Sequence, residues 1–256
     1  MAKFCNKCGK PLVDGKCPDC ENKKEETEVV VTESDIGNEL LDIIKNIWQK
    51  PIQTIKKHTE ESNIAITLII LAISIVIGGL FTYFYTNSLF KGITSDVNSW
   101  LTSIAMLTGE DYSAATTTIN TPFFSLFISG VLTATLGYVF FILLAKLFVG
   151  VIFKGKATLK EYASVISLAS IFSTVATLIS IIIGFISYKV ASFIYLAGLI
   201  VFIVMVVQSF IDILKAKEDR LGYAVSLAII FTYILVIIAV IIIMAILVAS
   251  RQPVYY

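Results

Sequence analysis

From about residue 64 onward the chain reads as long apolar runs separated by short polar breaks. Five of the runs can cross a bilayer, whose hydrocarbon core of about 30 Å takes roughly 20 apolar residues in a helix. They are about Ile64–Tyr85, Phe123–Val149, Ala163–Ser187, Ala191–Ile211 and Tyr223–Ala249. Helix is the expected conformation because lipid offers no partner to unpaired backbone N–H and C=O groups. Only Tyr188–Val190 ("YKV") parts the third run from the fourth, which predicts a tight antiparallel hairpin.

Two weaker periodicities flank the first run. Ile36, Leu40, Ile43, Ile44 and Ile47 recur at helical spacing, with Glu39, Asp42, Lys45 and Asn46 opposite them. This predicts an amphipathic surface helix over 36–58, broken or kinked at Pro51, which cannot donate to the preceding turn. Trp48 and the neighbouring lysines suit the headgroups of the inner leaflet; packing on cytosolic loops is the alternative. Beyond the first run, Ile93, Val97, Trp100, Leu101, Ile104 and Leu107 trace one face of a second, separate interfacial helix, either inert or a ligand-binding lid. Residues 21–35 ("ENKKEETEVVVTESD") are charged, lack aromatics and keep no period, so they read as a flexible acidic linker. The predicted fold class is an all-α polytopic membrane bundle of five transmembrane helices carrying a small N-terminal zinc ribbon. Its divisions are a ribbon over 1–20, the linker over 21–35, the surface helix over 36–58 and the membrane domain over 59–256.

Composition agrees with this organisation. The 256 residues are 57% hydrophobic and only 15% charged, too few polar groups to cover a soluble fold of this size. The formal charge of +1 gives no global attraction to nucleic acid, which is not an expected partner. "MAKFCNKC" has no apolar signal core, so the N-terminus is expected to stay in the cytosol. Basic residues point the same way. Seventeen fall on the side of the N-terminus against Lys91, Lys189 and Arg251 on the other, and eleven against three when the six in residues 1–24 are left out. The positive-inside rule then places the N-terminus inside and the C-terminus outside an inner (plasma) membrane.

Ionisable groups inside spans are the usual mark of pumps and intramembrane enzymes. Here no Asp, Glu, His, Arg or Cys falls at mid-membrane depth. Lys146, Gln208 and Asp212 lie near inner ends, where they can snorkel or pair across the bundle. His58, the sole histidine, stands in a basic stretch and is expected to be solvated. In the third span Ala163, Ser167, Ser170, Thr174, Thr177 and Ile181 form a heptad-like seam of small and hydroxyl side chains. Gly130, Ala134 and Gly137 make a strip on the second span, and Ser74, Gly78 and Thr82 one on the first. Small residues let helices approach and hydroxyls bond across the contact. A polar pathway lined by the third-span hydroxyls is the alternative.

The four cysteines all lie in "CNKCGKPLVDGKCPDC", as two Cys-x-x-Cys pairs. In reducing cytosol structural disulfides are disfavoured. Each pair can point two sulfurs at one ion, so Cys5, Cys8, Cys17 and Cys20 are expected to hold a structural Zn²⁺ in a closed tetrahedron with no open position for catalysis. Asp14–Gly15 supplies a hairpin turn between the halves. A redox dithiol or unliganded thiols are the other uses of such pairs.

"FCNKCGKPL" followed by "KCPDC" resembles the N-terminal zinc-ribbon module of many bacterial proteins, including membrane-anchored ones. Over about residues 48–249 the chain is similar to the bacterial branch of the Yip-type five-span membrane proteins. The stretches that carry this are Trp48–Lys57 ("WQKPIQTIKK"), Phe153–Ser167 ("FKGKATLKEYASVIS") and Leu214–Ile230 ("LKAKEDRLGYAVSLAII"). The resemblance implies a five-span fold and supplies no catalytic residues. Eukaryotic relatives are associated with Rab-family GTPases and vesicle trafficking, a role that does not carry over to a chain with a zinc ribbon. The expected function is that of a non-enzymatic membrane protein whose ribbon or cytosolic loops recruit or organise protein partners, with homo-oligomerisation open. A permease, or permease subunit, regulated by the ribbon is the alternative.

Overall fold

The computed structural model describes residues 33–61, 63–109, 122–153, 157–214 and 218–249, all in helices or the short turns between them. The chain divides into two compact units, Met1–Glu39 and Leu40–Tyr256. The ribbon cysteines and almost all of the linker lie outside the described residues, as does most of the loop before Phe123.

Seven helices are described: α1 (Glu33–Asn46), α2 (Pro51–Glu61), α3 (Ile64–Thr108), α4 (Phe123–Phe153), α5 (Leu159–Gly184), α6 (Tyr188–Leu214) and α7 (Glu218–Ala249). Five of them, α3 to α7, are long and apolar enough to cross a membrane. Their outer faces expose rows of large apolar side chains, among them Leu132, Val139 and Leu143 on α4 and Ile234, Ile237 and Ile241 on α7. Water would penalise such a surface and hydrocarbon does not, so this is a multi-pass membrane protein.

Local chemistry sets the helix starts. Asn63 caps α3 by accepting from the Ala65 N–H at 3.1 Å. Thr158 and Glu161 form a reciprocal capping box that begins α5 several residues before its apolar run. Ser187 caps α6. Its carbonyl accepts from Ala191 at 3.0 Å, and its hydroxyl accepts from Val190 at 3.5 Å. The break between α5 and α6 therefore falls at Phe185–Ser187, not at Tyr188–Val190, which form the first turn of α6.

The amphipathic segment over 36–58 breaks ahead of Pro51: the chain turns at residues 47–50 and restarts at Pro51, a favoured first helical position. One further expectation is corrected. The separate outer helix is instead the end of α3, which runs unbroken for 45 residues, about 68 Å at 1.5 Å per residue. Nothing between Tyr85 and Ile93 removes a hydrogen bond, so the helix continues past the bilayer until Gly109, at φ 73°, ends it in the left-handed conformation.

α5 lies at the centre of the Leu40–Tyr256 unit, packed against α2, α3, α4 and α6, while α7 packs mainly on α4. Ile43, Ile47 and Ile55 are fully buried, whereas Leu41, Ile44 and Trp48 stay about half exposed. Trp48 meets Phe172 of α5 edge-on at 5.1 Å. One apolar face of the turn region is thus committed to protein, and the other is left free for lipid.

Candidate functional site

The polar interior of the bundle is a ladder of hydroxyls between α3 and α5. Thr67 Oγ1 and Ser164 Oγ are 3.0 Å apart, and Ser167 donates to the Thr67 carbonyl at 2.9 Å. Two turns deeper, Ser74 Oγ lies 3.1 Å from Ser170 Oγ and 2.8 Å from Thr174 Oγ1, and it also donates to the Ile70 carbonyl at 2.9 Å. Ser74 is about 15 Å along α3 from Ile64, near mid-bilayer. Tyr138 of α4 reaches this level too, its hydroxyl facing Ser170, Ser74 and Ser173. Farther along, Ser173 and Thr177 donate to backbone carbonyls of α5 itself, and Ser180 donates to Ala191 of α6.

Of the third-span seam, Ser167, Ser170 and Thr174 face α3 as a bonded set, while Ala163 and Ile181 are only partly buried. The strip on the first span divides between two partners. Ser74 serves α5, whereas Gly78 approaches Ala134 and Thr82 approaches Gly130 on α4. Tyr138 was not legible as a member, because a tyrosine amid Gly137, Val139 and Phe140 carries no seam signal. The chemical capacity of the ladder is limited. Its hydroxyls are bonded to one another or to backbone carbonyls, and among the described residues no carboxylate or imidazole is bonded to them. Bonds of this kind contribute about 0.6 kcal/mol each to bundle stability.

The charged candidates lie elsewhere. Lys146, Gln208 and Asp212 are all exposed, and neither Lys146 nor Asp212 forms an ion pair among the described residues. His58 departs from expectation, being buried (5% exposed) with Nε2 3.5 Å from Asp42 Oδ2 and Nδ1 3.9 Å from Glu61 Oε2. The cause is position, since His58 falls three residues after Ile55 on the face that α2 turns to α5 and α6. Cys5, Cys8, Cys17 and Cys20 lie outside the described residues.

The chain matches no family model, no curated protein and no solved structure.

Asp42 clasps the end of α1 to α2. Its Oδ2 accepts from Lys57 Nζ at 3.0 Å and its Oδ1 from Asn46 Nδ2 at 2.7 Å. The Lys57 hydrogen bond, helped by the nearby Lys57 and His58 charges, holds this carboxyl below the usual carboxylate range. A lowered folded-state pKa gives a contribution that is complete above the ordinary value of about 3.9 and is lost as pH falls through the lowered one. With Trp100→Phe leaving Trp48 as the only tryptophan, emission should therefore hold steady from neutral pH to below about 3.9 and change only then. Asp42→Asn should abolish that acid step; a step at or above the ordinary value would contradict the clasp.

Proposed function

We propose that this is a non-enzymatic scaffold of the inner (plasma) membrane, with its N-terminus in the cytosol and its C-terminus outside, in which the bundle anchors a zinc ribbon that recruits protein partners. The observation that carries this reading is the hydroxyl ladder. The polar groups at the centre of the described bundle are spent on holding α3 to α5, as suits an anchor. The recruiting capacity is then assigned to the cytosolic side. There a closed four-thiolate site made of Cys5, Cys8, Cys17 and Cys20 would display a small rigid surface on a charged leash over 21–35. The resemblances of the sequence to zinc-ribbon modules and to Yip-type five-span proteins motivate the ribbon and the five-span anchor of this reading and carry no partner over.

The test is crosslinking in native membranes followed by purification of the full chain and of a chain lacking residues 1–35. Partners held through the ribbon should be lost from the shortened chain, while its helical content and membrane insertion stay unchanged. If every co-purifying protein persists, the ribbon does not recruit.

A further inference from the structure

At the end of the bundle where α5 turns into α6, a cavity of about 410 Å³ opens between that turn and the part of α3 that continues past the hydrocarbon. Asn87, Ser88, Lys91 and Ser95 line it from α3, spaced so that they share one helical face. Their side chains make no hydrogen bond or ion pair among the described residues. Elsewhere on this stretch Thr94 donates to the Phe90 carbonyl at 2.8 Å and Thr102 to the Asn98 carbonyl at 2.8 Å, whereas the hydroxyls of Thr86 and Ser99 make no such bond among the described residues. The donors facing the cavity are thus uncommitted, although a backbone acceptor one turn back is the ordinary partner for a helical hydroxyl.

The opposite wall is fixed. Lys189 pairs with Asp96 at 2.8 Å, and Tyr188 donates to the same carboxylate at 3.0 Å. The Tyr188 ring covers Gly92 so closely that a Cβ there would collide with it. Two lysines against one aspartate leave the lining with one cation in excess, carried by Lys91. Phe185 and Ile186 of the turn, 70% and 82% exposed, form an apolar lip directly beside these donors. Asn87 is about 35 Å along α3 from Ile64, just past a hydrocarbon core of about 30 Å and so at headgroup level.

We propose that this cavity binds a phosphodiester anion, held by Lys91 with Asn87, Ser88 and Ser95 as hydrogen-bond donors. A charge-assisted contact of the ammonium with the phosphate, with the acyl chains lying along the apolar lip, would hold a lipid headgroup here. A phospholipid and a free phosphate share the chemistry, and the experiment separates them.

The full chain in detergent is titrated with dioleoylphosphatidylglycerol, and retained lipid is counted by native mass spectrometry. Dioleoylglycerol, with the same acyl chains and no phosphate, is run in parallel. One phosphatidylglycerol per chain should be retained in preference to the diacylglycerol. Lys91→Gln should weaken retention by on the order of tenfold, the loss expected for one hydrogen bond to a charged group. Ser88→Ala with Ser95→Ala, which leaves the charge unchanged, should weaken it by a smaller factor. Lys146→Gln, at an exposed lysine on another helix, should change nothing, and circular dichroism should report the same helical content throughout. Failure of millimolar inorganic phosphate to displace the lipid assigns the site to a headgroup; displacement assigns it to the free anion. Equal retention of diacylglycerol, unchanged retention in Lys91→Gln, or an equal loss in Lys146→Gln overturns the proposal.

Discussion

Replacing Cys8 with Ser should abolish zinc binding by the full chain and unfold residues 1–20, while leaving the membrane domain untouched. The reason lies in how little else that segment has. Its large apolar side chains beyond Met1 are Phe4, Leu12 and Val13, too few to offset the entropy of ordering about 20 residues. On the proposed reading, metal supplies the difference. A structural Zn²⁺ site contributes an apparent 10–16 kcal/mol in small zinc domains, roughly the scale required. A serine hydroxyl is a hard, protonated oxygen in place of a thiolate, so the tetrahedron loses one of its four anionic ligands. Metal analysis should fall from one zinc per wild-type chain to near zero. A chelator applied to the wild type should release the same thiols to an alkylating probe. Because the charged stretch 21–32 separates the segment from α1 in the sequence, the detergent unfolding midpoint of the bundle should not move. Undiminished zinc in Cys8→Ser, or four thiols that alkylate freely before chelation, would rule out the closed site.

The number and type of the membrane helices were legible because the constraint behind them is severe. A hydrocarbon core accepts only a hydrogen-bonded helix of sufficient apolar length, and that length is visible in one dimension. What the sequence left open was decided by interactions that length does not encode. The α5–α6 turn lies three residues before the polar Tyr188 and Lys189 that interrupt the apolar run, because the capping capacity of Ser187 starts the helix. The continuity of α3 past Tyr85 was missed because the apolar run ends there and the helix does not. His58 looked solvated beside Lys56 and Lys57, yet helical spacing from Ile55 was already sufficient to turn it inward. The seam on the third span was visible in Ser167, Ser170 and Thr174. Its partners were not, since which face of α3 meets α5 and which meets α4 depends on how the helices cross. Cys5, Cys8, Cys17 and Cys20 remain a reading of spacing and donor chemistry.

That crossing gives the second large effect. α3 and α4 meet at Gly79 and Gly130, where a Cβ built on Gly130 would lie 2.6 Å from the Thr82 Cβ and 2.9 Å from the Gly79 Cα. A Cβ on Gly79 would in turn stand 2.6 Å from a Val131 methyl and 3.0 Å from the Phe127 ring. The Thr82 hydroxyl can rotate away, but the Thr82 Cβ and the Gly79 backbone cannot, so even Gly130→Ala must push the helices apart. Overpacking of this kind costs about 1–3 kcal/mol, and Gly130→Leu should cost more, because it also strips contacts along the rest of the α3–α4 seam. Gly137 on α4 provides the control, since nothing lies within 4 Å of a Cβ built there. Gly137→Ala should therefore be neutral, or stabilising by up to about 1 kcal/mol through helix propensity. Thr82→Ala combined with Gly130→Ala separates the two obstacles. Trimming Thr82 to alanine removes the Oγ1 contact but leaves the Thr82 Cβ and the Gly79 Cα in place, so the double variant should recover only a small part of the loss. Unfolding midpoints in mixed detergent would rank the variants with Gly137→Ala at or above wild type, the double variant below it, Gly130→Ala lower and Gly130→Leu lowest. Coincident midpoints for Gly130→Ala and Gly137→Ala would mean that the backbones do not approach at this crossing, and with it would go the reason for glycine at 79 and 130.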